Sequence, residues 1–122
     1  MISTAPLRWA APAALFGAAG LAHLLRPAGF DAIVPRALPG RARTWTNVSG
    51  ALELALALGF TVPAARPATA RAAVALLLAV WPANGQMALD AWRGGSGVRR
   101  AVTTARLPLQ VPLIRLVARA GR

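Results

Sequence analysis

The chain has 122 residues, which is enough for one domain, and 57% of them are hydrophobic. Charged residues make up only 14% of the chain, against roughly 25% in soluble proteins, so an ordinary small soluble fold is disfavoured. Disorder is excluded because disordered segments are poor in apolar residues. The absence of cysteine excludes a disulfide framework, a thiolate metal site and a cysteine nucleophile. The composition therefore indicates a membrane protein.

Four apolar segments follow one another along the chain, each close to the length of a membrane-spanning helix of roughly 17–25 residues. The predicted spans are residues 9–25, 44–62, 72–92 and 102–119. The first segment also resembles the apolar core of a signal peptide, but the further apolar segments favour an anchored helix. The sequence therefore predicts an all-α fold, a polytopic transmembrane four-helix bundle that forms a single domain over residues 1–122.

The fourth span is the least regular, and the connections differ in character. Arg106 and Arg115 interrupt the fourth span, and Pro108 and Pro112 each remove a backbone donor. Neighbouring helices can tolerate such prolines in a membrane bundle. The predicted connections are an interfacial loop over residues 26–43, a tight turn over residues 65–71 and a flexible link over residues 94–97.

The basic residues are fourteen arginines, most of them at span ends and in connections. This placement explains the net charge of +11 without a nucleic-acid partner, since no basic run alternates with aromatic rings. In a four-span fold, eight arginines lie on the side of the first and third connections and six on the other side. Because positive residues favour the cytoplasm, this bias predicts that both termini lie outside it.

Each span carries polar residues, and those singled out here fall at a similar depth. They are His23 in the first span, Glu53 in the second, Asn84 and Gln86 in the third and Gln110 in the fourth. Arg106 lies one helical turn before Gln110. A carboxylate in hydrocarbon must be protonated or paired, so we expect Glu53 to contact Arg106, His23 or an amide. The sequence thus predicts a shared polar pocket.

Two interpretations of this pocket stay open at this point. The polar groups either satisfy one another and fix the helix register, or they bind a small molecule or a proton. In the second interpretation the ligand-binding residues are His23, Glu53, Asn84, Arg106 and Gln110. No catalytic residue and no metal site are predicted, because one histidine with three carboxylates offers few ligands and no Ser-His-acid spacing occurs.

Rows of small residues at four-residue spacing are typical of close helix packing in membranes. We expect two such rows to pack the bundle itself: Ala14, Ala18 and Ala22 in the first span, and Ala51, Ala55 and Gly59 in the second.

Short strings in all four spans resemble those of DoxX-like small membrane proteins. They are residues 20–23 (GLAH), 30–35 (FDAIVP), 49–54 (SGALEL), 81–84 (WPAN) and 106–110 (RLPLQ). The resemblance implies a four-helix bundle in a bacterial inner membrane. Some members of that group are associated with quinone-linked or other redox systems, and most have no assigned activity.

The sequence predicts a non-catalytic accessory or small-ligand-binding membrane protein. The alternative is a subunit of a quinone-linked membrane oxidoreductase complex, in which Glu53 and His23 handle quinone protons. No resident cofactor is expected, and a quinone is one candidate ligand. The expected partners are the lipid bilayer, a membrane redox complex in the alternative, or a second copy of the chain.

The four-span topology can be tested by labelling single cysteines, because the chain has none of its own. We expect cysteines at positions 36 and 95 to be labelled from one side of the membrane, and a cysteine at position 66 from the other. Labelling of positions 36 and 95 from opposite sides would contradict the four-span prediction.

Overall fold

The computed structural model describes residues 8–32, 34 and 37–122. Ile33, Pro35 and Arg36, which belong to the predicted interfacial loop, lie outside the described residues. The side of the membrane predicted for Arg36 therefore stays a prediction. Within the described residues the regular elements are all helical, and the fold is all-α. The helices are α1 (Ala10–Leu25), α2 (Pro27–Asp31), α3 (Ala42–Thr61), α4 (Arg66–Gly94) and α5 (Gly97–Ala120), with a 3-10 turn at Pro63–Ala65.

Local sequence explains where the connections differ from expectation. The region expected to be a loop after α1 contains α2, which begins at Pro27, because proline suits the first helical position. The chain between α3 and α4 turns at Pro63–Ala65, so α4 already begins at Arg66 instead of after a turn over residues 65–71. The link before α5 is short because the Ser96 hydroxyl accepts a hydrogen bond from the Arg99 backbone N–H at 3.2 Å.

The long helices form two pairs, α1 with α3 and α4 with α5. In the first pair the backbones meet at two glycines. A Cβ atom added to Gly20 would lie 2.8 Å from the Gly50 carbonyl oxygen, and one added to Gly50 would lie 3.2 Å from the Gly20 carbonyl oxygen. Glycine at both positions therefore sets the separation of α1 and α3.

The rows of small residues expected to pack the bundle do so only in part. Gly59 lies directly against the Thr69 side chain of α4, with no room for a Cβ atom. Ala14 and Ala18 of α1 are exposed, as are Ala51 and Ala55 of α3. The faces of α1 and α3 that are buried instead carry Phe16, Gly20, Gly50 and Phe60. Phe16 and Phe60 stack at 6.1 Å between ring centroids and join the core formed with Ala70, Ala73, Leu77, Val117 and Ala120.

The second pair is tied by two hydrogen bonds that cross in opposite directions. Trp81 Nε1 donates to the Leu107 carbonyl at 3.2 Å, and Gln110 Nε2 donates to the Leu77 carbonyl at 2.8 Å. The prolines inside these helices are Pro82, Pro108 and Pro112, and the two donors, Trp81 and Gln110, lie within two residues of one of them. Because a carbonyl oxygen has two lone pairs, the Leu107 and Leu77 carbonyls can accept a side-chain donor in addition to their helical N–H.

Within the described residues, one helical stretch is long and apolar enough by itself to cross a membrane. It covers 32 residues, Pro63–Gly94, with a mean hydropathy of 1.5. The helix α1 is apolar but has only 16 residues. The helix α3 begins with a polar turn, and α5 carries five arginines. Helix length and composition therefore support one span directly, whereas the four-span arrangement stays a prediction.

The glycine contact between α1 and α3 predicts different effects for two neighbouring substitutions. Gly20→Ala should destabilise the protein by about 1–3 kcal/mol, because the added methyl group forces the helices apart. Gly17→Ala should be neutral or stabilise by up to about 1 kcal/mol, because its Cβ would meet only the Ala57 Cβ at 3.8 Å. Thermal unfolding in detergent measures both, and equal effects would contradict the glycine contact.

Candidate functional site

A cavity of about 340 Å³ lies between the two helix pairs. It is nearest the end of the bundle where α1 connects to α3 and α4 connects to α5. Its polar lining consists of His23, Thr46, Ser49, Glu53, Asn84, Arg106 and Gln110. The rest of its wall is mostly apolar and includes Leu15, Phe16, Phe30, Trp45, Leu77 and Leu113. A few polar groups in an apolar wall are typical of small-molecule sites.

All five candidate ligand-binding residues line this cavity, although they come from four helices. The contributions are His23 from α1, Glu53 from α3, Asn84 from α4, and Arg106 and Gln110 from α5. Gln86, the other amide of the third predicted span, is not part of the wall and bonds Asp90 Oδ1 at 2.9 Å. That the five lining residues bind a ligand stays a prediction.

The closest polar contact in the cavity joins α1 to α3. His23 Nδ1 lies 3.2 Å from Glu53 Oε2 and also 2.7 Å from the Ala19 carbonyl oxygen. Because a carbonyl only accepts, the Nδ1 proton is directed to Ala19. Among the described residues, Glu53 Oε2 is therefore buried without a hydrogen-bond partner, and the whole residue is only 8% exposed. This oxygen is an acceptor that a bound molecule can use.

Phe30 is one of two residues at the site that the sequence pattern did not identify. Its ring stacks on the imidazole of His23 at 3.7 Å between centroids. The stacking fixes the plane of the imidazole beside Glu53. A signal was present, since Pro27 marks the start of a helix that returns Phe30 toward α1.

Thr46 of α3 was also missed, although the helical spacing indicates it. Thr46 lies seven residues before Glu53, on the same face as Gly50. Its buried hydroxyl has no hydrogen-bond partner among the described residues.

A charged pair ties α2 to α3 beside the cavity. Arg43 Nε donates to Asp31 Oδ2 at 2.8 Å. The nearby Thr46 hydroxyl is the main influence that holds the pKa of Asp31 below its ordinary value; desolvation opposes it and Arg43 adds to it. In the part of the chain that the structure describes, Asp31 Oδ1 and the Thr46 hydroxyl make no hydrogen bond, so Arg43 is the residue that ties α2 to α3 through Asp31.

Arg106 does not pair with Glu53. Its Nη1 instead contacts the Met87 sulfur at 3.5 Å, and its side chain is exposed at the edge of the cavity. A thioether is a weak acceptor, so the guanidinium keeps most of its donors available. Of the neighbours expected for Glu53, the one it contacts is His23, although the two share no hydrogen bond.

The amides of the site differ in how they are used. Gln110 is buried and donates to the Leu77 carbonyl, so one of its donors is engaged in joining α5 to α4. Asn84 is half-buried and has no side-chain hydrogen bond among the described residues. Asn84 is therefore the amide that can both donate to and accept from a molecule in the cavity.

The identity of the Glu53 partner can be tested with two double-mutant cycles. Glu53→Gln combined with His23→Gln should deviate from additivity by about 1 kcal/mol, because the two side chains are in contact. Glu53→Gln combined with Arg106→Gln should be additive, because these side chains do not touch. Thermal unfolding in detergent gives both values, and coupling to Arg106 alone would show that the His23 contact is not the stabilising one.

Comparison with known proteins corrects the resemblance to DoxX-like proteins, which is wrong. The family model that matches is a different one, and it covers residues 13–120. The strings behind the resemblance are short and rich in alanine, leucine and proline, which recur in unrelated apolar helices. The inner-membrane location rested on that resemblance and loses its support with it. No curated protein and no solved structure matches the chain. Because the matched region includes nearly all of the sequence, the chain belongs to the family described as Domain of unknown function (DUF8561).

Proposed function

We propose that the chain is a four-span integral membrane protein that binds one small amphipathic molecule between its two helix pairs without catalysing a reaction. The observation that carries the proposal is the unpartnered oxygen of Glu53, buried in the wall of a cavity of about 340 Å³. A buried acceptor left unsatisfied costs about 1–3 kcal/mol, and more when it is charged. A donor on a bound molecule would offset that cost.

Membrane insertion of all four long helices is supported by the outer surface of the bundle. Large apolar side chains are exposed on each of them, such as Leu21 of α1, Leu58 of α3 at 69%, Leu78 of α4 and Leu109 of α5 at 60%. Exposed large apolar side chains on every long helix mismatch water and match lipid. The buried core, in contrast, is small and contains many alanines.

The polar residues of α3 and α5 are compatible with spanning a membrane. Glu53 faces the cavity and not the outer surface. The α5 prolines lie where Trp81 and Gln110 join the helices by hydrogen bonds. Arg115 and Arg119 lie in the last turns of α5, where long side chains can extend to the interface.

The chemistry of the wall indicates the class of ligand. Glu53 offers an acceptor in the depth of the cavity, Asn84 offers both a donor and an acceptor, and Arg106 offers donors at the edge. Such a wall fits a polar head or ring that carries at least one donor and one acceptor. Leu15 lines the cavity and is also 48% exposed, so an apolar tail can leave the cavity beside it.

A second candidate function is favoured by the contact of His23 with Glu53 next to the Phe30 ring. Two adjacent proton-carrying groups beside an aromatic ring would suit a quinone head, whose reduction takes up protons. In that case the chain would be a subunit of a membrane redox complex. The identity of the bound molecule distinguishes the two candidates.

Asn84→Leu should remove the bound molecule without unfolding the protein. The substitution keeps the side-chain volume and deletes both the donor and the acceptor. The matched control is Asn47→Leu, since Asn47 is exposed on α3 and is not in the cavity wall. The molecules are extracted from purified wild type, variant and control at matched thermal stability. Mass spectrometry then measures the amount of each bound molecule per protein.

We expect one extracted species to fall several-fold in Asn84→Leu and to be unchanged in Asn47→Leu. A quinone as that species would favour the redox subunit. Equal content in all three proteins would contradict the binding proposal and leave the polar groups with the role of fixing the helix register.

A further inference from the structure

Three arginines converge at the end of the bundle opposite the cavity. Arg8 precedes α1, and Arg119 and Arg122 lie at the end of α5. Together with Leu116 they line a groove of about 350 Å³. This groove is separate from the pocket of the proposed function, with which it shares no lining residue.

No acidic side chain neutralises this groove. The chain has three carboxylate residues, of which Asp31 and Asp90 lie at the other end of the bundle and Glu53 lines the cavity. The salt bridges of the described residues are Asp31 with Arg43 and His23 with Glu53. The guanidinium groups of the groove therefore repel one another unless an anion lies between them.

The neighbouring Arg66 shows a different arrangement. Its Nε donates to the Phe60 carbonyl at 2.7 Å, and its guanidinium lies 5.0 Å from the centre of the Trp9 ring. Arg66 is thus engaged in joining α3, α4 and the start of α1. The arginines of the groove have no such contact among the described residues, so their donors are available.

We propose that this groove binds the phosphate of an anionic phospholipid. The planar guanidinium donates two parallel hydrogen bonds to phosphate oxygens, and several arginines together favour a head with net negative charge. Leu116 is 39% exposed and extends the groove along α5, in the direction that an acyl chain would follow. Trp9 at the start of α1 is typical of the membrane interface, where such a phosphate lies.

The inference rests on membrane insertion, but it is independent of the pocket between the helix pairs. The test uses the whole protein reconstituted in vesicles of phosphatidylcholine, or of an equal mixture of phosphatidylcholine and phosphatidylglycerol. The variant is the double substitution Arg8→Gln with Arg119→Gln. The control is Arg93→Gln with Arg99→Gln, which removes the same charge from exposed positions at the other end.

We expect phosphatidylglycerol to raise the melting temperature of wild type and control by roughly 5 °C and that of the variant by less than half as much. Native mass spectrometry should show one retained phosphatidylglycerol molecule on wild type and control, and none on the variant. All three proteins should melt alike in phosphatidylcholine alone, since the substituted side chains are exposed.

Several outcomes would overturn the proposal. An equal rise of the melting temperature in the variant and the control would assign the effect of phosphatidylglycerol to surface charge in general. The same gain from inorganic phosphate in phosphatidylcholine vesicles would assign the groove to a free anion. Failure of the protein to float with vesicles would contradict membrane insertion and, with it, the proposed phospholipid site. Flotation without retention of phosphatidylglycerol would contradict the phospholipid site alone.

Discussion

The close approach of α1 and α3 at Gly20 and Gly50 determines the geometry of the candidate site. Because neither residue has a side chain, the backbones approach until each glycine lies against the carbonyl oxygen of the other. At this separation His23, which lies one helical turn after Gly20 on α1 and also packs against Gly50, reaches Glu53 on α3. A wider separation would move His23 away from the Glu53 carboxylate.

The second pair of helices is held by a different interaction, and the cavity results from the difference. Trp81 and Gln110 join α4 and α5 through main-chain carbonyls, so this pair needs no glycine contact. The two pairs meet mainly through the core around Phe16, Phe60 and Val117, which lies toward the other end of the bundle. Space is left where the core ends, and the polar side chains face it.

The sequence predicts the long helices, and it places His23, Glu53, Asn84, Arg106 and Gln110 near one another, because both inferences follow from helical spacing and from the high cost of exposing polar groups to hydrocarbon. That these residues bind a ligand stays a prediction. The contacts within the site are less predictable. The sequence could not choose between His23 and Arg106 as the partner of Glu53, because that choice depends on how the helices rotate about their axes. Four of the six small residues were misassigned for the same reason. Ala14, Ala18, Ala51 and Ala55 have suitable spacing for close packing but are exposed. The position of Phe30 beside His23 depends on α2, a short helix inside a segment whose sequence predicts a loop.

We propose that the cavity beside Glu53 holds a molecule in the membrane. The decisive experiment is a high-resolution experimental structure of the protein, purified without delipidation and determined in a lipid environment. We expect non-protein density within hydrogen-bond distance of Glu53 Oε2 and Asn84 that continues past Leu15 toward the lipid. An empty or collapsed cavity in which Glu53 bonds only to neighbouring side chains would contradict it.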